Sequence, residues 1–263
     1  MLRFIHITDT HIGPTADFEL YGHRPLLYLR RLVKLINDLP FEIDFVLHTG
    51  DCVDDGSAAS YALFHEAMSP LRIPVKYVVG NHDDSSRLQA LMNVAGPTRR
   101  MDYAFEVRGI KFVVLDTRGP VDPGGHVEPA QIDWLKHHCT IAGPPLVIAM
   151  HHSPIRLDTP WLDAPPPDWN GRFMFIDNAD AVIDALQPAR DRILGVFGGH
   201  VHGLYQSMYK NLLFVSGQST FSGLSGWPSE GPVEPDIAQS AMFNVVSVMD
   251  NQIVVRPRCF ELE

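Results

Sequence analysis

Val75-Lys76-Tyr77-Val78-Val79-Gly80-Asn81-His82-Asp83 is the stretch on which the reading turns, an apolar strand-like run ending at once in a glycine, a carboxamide, an imidazole and a carboxylate. A glycine at a strand end lets the backbone turn sharply and lets a ligand come close. Open α/β sheets bind their ligands just beyond the carboxyl ends of the strands. Alone, the stretch reads equally well as a Gly-Asn turn with a capping Asp. Four other stretches share its grammar. Arg3-Phe4-Ile5-His6-Ile7 runs into Thr8-Asp9-Thr10-His11, and Ile43-Asp44-Phe45-Val46-Leu47-His48 into Gly50-Asp51-Cys52-Val53-Asp54. Leu146-Val147-Ile148-Ala149-Met150 ends in His151-His152, and Ile193-Leu194-Gly195-Val196-Phe197 in Gly198-Gly199-His200-Val201-His202. Every ending carries groups able to ligate a metal, and they converge if the strands share a sheet.

The chain has 263 residues, which suits one domain spanning 1–263. Its 45% hydrophobic and 20% charged residues describe a globular protein with a sizeable core. Lys plus Arg is 21 and Asp plus Glu is 31, a balance of −10 with no basic stripe, which argues against long nucleic acid as a partner. Bound cations would offset part of that acidity. Cys52, Cys139 and Cys259 are too few and too scattered for a disulfide framework or a zinc–thiolate site. A strand at the very start leaves no signal peptide, and no apolar run nears the ~18 residues of a membrane span. The expectation is a cytoplasmic protein without membrane contact, with homo-oligomerisation left open.

Helical spacing covers Arg24 to Leu39, stopped by Pro40, and a second helix follows Ser57 as cap to Met68. Strand and helix alternating at this pitch imply parallel pairing with right-handed crossovers. A helix over Ser85–Asn93, a hairpin of Tyr103–Val107 with Ile110–Leu115, and helices from Pro129 and over Asp177–Leu186 complete the middle. From Leu204 onward the pattern is hairpins, with a Gly/Ser/Pro-rich loop from Gly217 to Asp236. The fold expected is α/β, a four-layer α-β-β-α sandwich of two mixed sheets with helices outside. One sheet would bear the ligands and the other be more antiparallel. The Pro- and Trp-containing loop 153–172 and the hairpin region 204–263 are read as cap or contact elements.

Asp9 and His11, like His200 and His202, are two residues apart and can chelate one ion, while Asp51 could bridge two through its two oxygens. Three oxygen donors (Asp9, Asp51, Asn81) and four imidazoles (His11, His151, His200, His202) without thiolates suit Mn, Fe, Zn or Co. Seven ligands exceed one tetrahedral site and fit a pair of divalent ions. Such a pair, about 3.5–4 Å apart, clamps the attacking and leaving oxygens of an in-line displacement and generates hydroxide near neutral pH.

Asp-x-His, Gly-Asp-x-x-Asp, Gly-Asn-His-Asp, a strand-end His and Gly-His-x-His, in this order from residue 9 to 202, resemble the calcineurin-like metallophosphoesterase superfamily. The resemblance implies that Asp9, His11, Asp51 and His202 hold one ion, and Asp51, Asn81, His151 and His200 the other. It implies that His82 faces the phosphoryl group as a catalytic residue, oriented by Asp54. Leu20-Tyr21-Gly22, Gly80 to Asp84, Gln131-x-x-Trp134-Leu135 and His151-His152-Ser153-Pro154 resemble the bacterial branch of class III cyclic-nucleotide phosphodiesterases and glycerophosphodiesterases. That branch often has Pro where Ser153 stands.

The activity expected is hydrolysis of small phosphodiesters, such as cyclic nucleotides or glycerophosphodiesters. The alternatives are a phosphomonoesterase (nucleotidase or protein phosphatase) and a metal-binding scaffold without turnover. Loops 8–13, 49–56 and 80–84 contain no Arg, and the nearest candidates along the chain are Arg24, Arg87 and Arg156. A singly charged diester needs fewer cations than a dianionic monoester. It also asks for a partly apolar wall, which Trp161, Trp169, Phe221 and Trp227 could supply. His6 and His48 read as fillers within apolar strands. His152 reads as either a support for the ligands or a phosphate contact.

Overall fold

The computed structural model describes residues 1–94, 96–163, 174–228, 233–236 and 239–262. In chain order it runs β1 (Leu2–Ile7), α1 (Pro25–Asn37), β2 (Phe45–His48), α2 (Ala58–Met68), β3 (Val75–Tyr77), α3 (Ser85–Leu91), β4 (Tyr103–Val107), β5 (Ile110–Leu115) and α4 (Pro129–Thr140). There follow β6 (Leu146–Met150), α5 (Pro160–Asp163), α6 (Ala179–Leu186), β7 (Ile193–Gly198), β8 (Tyr205–Tyr209), β9 (Leu212–Ser216), β10 (Gly223–Leu224), β11 (Pro235–Asp236), β12 (Ala241–Met249) and β13 (Gln252–Phe260).

Local chemistry sets these limits. Pro25 opens α1, which buries Leu26, Leu29, Leu32, Val33 and Ile36 on one face. Ser57 Oγ accepts from Ser60 N at the start of α2, Asp84 caps α3 through Arg87 N, and Glu128 with Gln131 forms a capping box on α4. Hairpins β4–β5, β8–β9 and β12–β13 turn on Arg108-Gly109, Lys210-Asn211 and Asp250-Asn251, all with positive φ.

Two large sheets carry the fold. One has five strands in the order β13-β12-β1-β2-β3 and the other six in the order β4-β5-β6-β7-β9-β8. β1, β2 and β3 pair in parallel, as do β5, β6, β7 and β9, while the hairpins add antiparallel strands to the margins. Between the sheets lies an apolar layer that includes Phe4, Phe45, Phe112, Val147, Phe197 and Val246. Helices α1 and α2 cover the outer face of the first sheet, and α4 and α6 that of the second. This is the expected four-layer sandwich.

Two expectations change. The ligand-bearing strands do not share a sheet: β1, β2 and β3 stand in one, β6 and β7 in the other, and their carboxyl ends meet. Much of the hairpin region is also built into the sheets: β8 and β9 close an edge of one, and β12 lies between β1 and β13 in the other. His6 and His48 are buried, but they do more than fill space. His6 Nε2 lies 2.9 Å from Thr49 Oγ1 and its Nδ1 3.2 Å from Asn244 Nδ2, and His48 Nε2 lies 3.0 Å from Thr10 Oγ1. They tie the strands to the loops that follow, as buried polar groups must find partners.

Phe4 is fully buried, stacked on Phe45 at 5.3 Å and edge-on to Phe112 and Phe197 at 5.6 and 5.5 Å. Phe4→Ala should cost about 3–5 kcal/mol of unfolding free energy, measured by urea titration. A loss below about 1 kcal/mol would mean that this layer is not the core that holds the sheets together.

Candidate metal centre and active site

Six of the predicted ligands come together as buried side chains where the two sheets meet. Asp9 Oδ1 lies 3.9 Å from His11 Nε2 and 3.6 Å from His202 Nε2, and the two imidazole nitrogens face one another at 3.0 Å. Asp51 Oδ2 lies 3.6 Å from His11 Nε2 and 3.2 Å from His151 Nε2, which in turn is 3.2 Å from His200 Nδ1. Asp51 Oδ1 accepts from His82 N at 3.0 Å. Asp51 Oδ2 thus faces the imidazoles of both His11 and His151, while Oδ1 takes a backbone hydrogen bond. Asn81 is the seventh: its Nδ2 donates to Asp122 Oδ1 at 3.0 Å, and its Oδ1 is buried without a partner.

The donor set fits divalent cations. His11 Nδ1 meets Asp54 Oδ1 at 3.1 Å and His151 Nδ1 meets the Thr49 carbonyl at 2.7 Å, so each Nδ1 is the donor. Their Nε2 atoms then aim lone pairs at carboxylates and at other imidazole nitrogens, an arrangement that repels unless a proton or cation lies between. Burial raises the Asp9 carboxyl to about 6. Burial also holds His200 and His202 well below the usual imidazole range, in the neutral form that ligates metals. Burial pulls His151 down too, but the Asp51 and Asp9 charges outweigh it and raise the imidazole to about 9. A proton there stands in for the positive charge these carboxylates call for.

The backbone is bent to make this possible. Asp9, His11, Asp51, His200 and His202 all have positive φ, from 42° to 76°. Non-glycine residues seldom adopt that region, and its strain gathers at functional sites. A Cβ on Gly199 would fall 1.9 Å from Thr8 Oγ1 and 2.6 Å from Asp9 Oδ2. Asp83 ties the loops after β2 and β3 together: its carboxylate accepts from Gly80 N, Cys52 N and Tyr61 Oη, each at 3.0 Å.

His82 stands beside this cluster, its ring edge-on to His11 at 4.7 Å. Its Nδ1 donates to the Asp54 carbonyl oxygen at 2.5 Å, whereas Asp54 Oδ1 is 3.9 Å away. Asp54 thus orients His82 through its backbone and His11 through its carboxylate. His152 is no phosphate contact, since its Nδ1 meets Thr117 Oγ1 at 2.8 Å and its Nε2 the Pro123 carbonyl at 3.0 Å. Phe221 is buried with its ring 6.2 Å from both His11 and His202, Trp227 is 68% exposed, and Trp169 lies outside the described residues.

The arginines nearest in sequence are not those nearest in space. Arg99, Arg100 and Arg118 line the cavity beside His82 and Asn81. Arg100 and Arg118 are held there by Asp116, which directly follows β5 and repeats the strand-then-Asp grammar of the predicted ligands, and Arg99 pairs with Glu128.

Two mixed sheets whose strand-end loops pool carboxylates and imidazoles define a metallophosphoesterase. The chain belongs to the calcineurin-like phosphoesterase family, whose pattern matches residues 2–204. The 3',5'-cyclic adenosine monophosphate phosphodiesterase CpdA of Pseudomonas aeruginosa is 25% identical over 217 residues, 82% of this chain and 75% of that one. A 3',5'-cyclic-nucleotide phosphodiesterase of Nostoc sp. is 26% identical over 220 residues, 83% of this chain and 78% of that one. In fold the chain is similar to a dimetal phosphatase from Danio rerio, with a TM-score of 0.71 at 17% identity, covering 98% of this chain and 96% of that one. The expectation of a metal-dependent phosphoric diester hydrolase agrees with this family and these relatives.

A Cβ on Gly80 would sit 2.1 Å from Asp51 Oδ1 and 2.4 Å from Asp51 N. Gly80→Ala should therefore displace Asp51 and weaken Mn²⁺ binding about 10–100-fold in calorimetric titration. Unchanged binding in a folded variant would remove Asp51 from the site.

Proposed function

We propose that the chain hydrolyses small phosphodiesters, cyclic nucleotides or glycerophosphodiesters, at a centre of two divalent ions. Asp9, His11, Asp51 and His202 would hold one ion, and Asp51, Asn81, His151 and His200 the other. Bound there, the ions supply Lewis-acid activation of water and neutralise charge on the phosphoryl oxygens. The chain's own contribution is orientation and a proton. Asp54 and the Thr49 carbonyl fix the rings of His11 and His151 through their Nδ1 atoms. With Nδ1 committed to the Asp54 carbonyl, His82 presents Nε2 to substrate. As the imidazolium it gives that proton to the departing ester oxygen as the phosphorus–oxygen bond breaks.

The observation carrying the diester reading is the state of the nearby cations. Arg118 is paired with Asp116 at 2.6 Å, Arg100 with Glu128 at 2.8 Å, and Arg99 with Glu128 at 3.2 Å. A dianionic monoester asks for uncommitted cations beside the metals, whereas a diester carries one charge and a second organic group. The named activities of the relatives from Pseudomonas aeruginosa and Nostoc sp. support the same reading. A phosphomonoesterase is the second reading, favoured by the presence of those arginines beside His82. A cytoplasmic setting belongs to the proposal too, supported by three cysteines that stay unpaired.

Two measurements test it. The Mn²⁺-loaded protein should show a higher kcat/KM for bis(p-nitrophenyl) phosphate than for p-nitrophenyl phosphate, which releases the same phenol; a strong monoester preference at full metal occupancy would put the monoesterase first. His82→Ala should keep its metals and lose about 10²–10⁴-fold in kcat on poor leaving groups, with a smaller loss on nitrophenyl esters, which need no proton. Equal losses on both would assign His82 to positioning instead.

A further inference from the structure

A second cavity, about 610 Å³ in volume, lies on the outer face of the first sheet, between α1 and the β12–β13 margin. It is remote from the metal ligands. Arg3, at the amino end of β1, lines it, whereas Asp9 follows the carboxyl end of that strand. The extended chain between them spans about 20 Å.

The pleat gives this cavity two kinds of surface. Phe243, Val245 and Ser247 alternate along β12 and share the face turned toward α1. Across the ladder, Arg258 stands opposite Phe243 and Arg256 opposite Val245, on that same face. Leu35 of α1, with Leu39 and Phe41 beyond its end, forms the facing apolar wall. Arg3 is held over the Phe41 ring at 5.7 Å. The apolar floor is therefore bordered by guanidiniums: Arg3, Arg31, Arg256 and Arg258 stand against one carboxylate, Glu261, among the described lining residues. That excess is local, since the whole chain carries a balance of −10. Arg256 and Arg258 are exposed and make no ion pair among the described residues.

The chemistry of this lining selects its ligand. Uncommitted guanidiniums call for an anionic head, which they grip in a planar fork. Ser247 is the one hydroxyl or amide side chain among the described lining residues, so a nucleobase or a sugar would leave polar edges unpaired. A hydrocarbon chain leaves nothing unpaired, and it removes the apolar floor from water. The volume lies within the range of sites that take small organic molecules.

We infer that this cavity binds a single-chain amphiphilic anion such as a fatty acid, its head on Arg256 and Arg258 and its chain over Phe243 and Val245. The inference is independent of the diester reading, because the cavity and the metal ligands stand at opposite ends of β1.

The test is calorimetric titration of the full chain, loaded with Mn²⁺ and dialysed free of excess metal, with decanoate, acetate and decyltrimethylammonium. Acetate has the head without the chain and reports any carboxylate taken up at the metal centre. Decyltrimethylammonium has the chain with the opposite charge. Decanoate should bind once per chain, about tenfold or more tightly than either of the others. Arg256→Gln combined with Arg258→Gln should weaken decanoate about tenfold, the joint effect of two exposed charge pairs, with Mn²⁺ content unchanged. Phe41→Ala, at a residue 39% exposed, should weaken it about threefold to tenfold through lost apolar contact. Absence of saturable decanoate binding, equal affinity for the cationic probe, or affinity unchanged in either variant overturns the inference. So does adsorption to phosphatidylglycerol vesicles in place of decanoate binding, which would make these arginines a membrane-surface patch.

Discussion

The site depends on how closely the loop after β3 approaches the loop after β2. Gly80 leaves no space for a side chain against Asp51, and the His82 N–H reaches Asp51 Oδ1 only because the backbones nearly touch. Asp83 locks that approach by accepting from both loops. One carboxylate oxygen of Asp51 is thereby fixed by the protein, and the other is left to face both clusters of imidazoles. His82, the next residue on the same loop, is placed beside them by the same contact.

Holding five of the predicted ligands at positive φ is costly, of order 1–3 kcal/mol each. What sustains them is the packing beneath. Buried apolar runs lead into each loop: Phe4 and Ile5 before Asp9 and His11, Val46 and Leu47 before Asp51, Val196 and Phe197 before His200 and His202. The buried histidines 6 and 48, neutral because burial lowers each to about 3, add directional contacts between strand and loop. A ligand residue that relaxed toward ordinary φ would have to drag its strand out of register.

Much of this was legible in the sequence because strand-end chemistry is local. Five apolar runs, each ending at once in Asp, Asn or His, announce a metal centre without any knowledge of topology. Which sheet each run joins is not local: β1 takes β12, from the far end of the chain, as a neighbour. The division of the ligands between two sheets was therefore out of reach. Whether Asp54 steers His82 through its carboxylate or its carbonyl turns on about 1.4 Å of geometry, the gap between 2.5 and 3.9 Å, which spacing along a chain does not encode. The arginine wall is hidden for a related reason. Arg99, Arg100 and Arg118 flank the β4–β5 hairpin, far from any ligand motif in sequence, and only the return of β5 toward β6 carries them beside His82.

The placement of β12 has a consequence for how the protein is made. β1 is complete at Ile7, but the strand that pairs with its free edge ends at Met249. At about 5–20 residues per second, the first strand waits roughly 10–50 s on the ribosome for that neighbour. Asp9, His11 and Asp51 are synthesised at the start of that interval, and His200 and His202 only late in it. Until residue 202 has been added, the nascent chain carries only part of the predicted ligand set. The predicted ligand set is thus completed late in the making of the chain, and the sheet that carries its first members is completed later still.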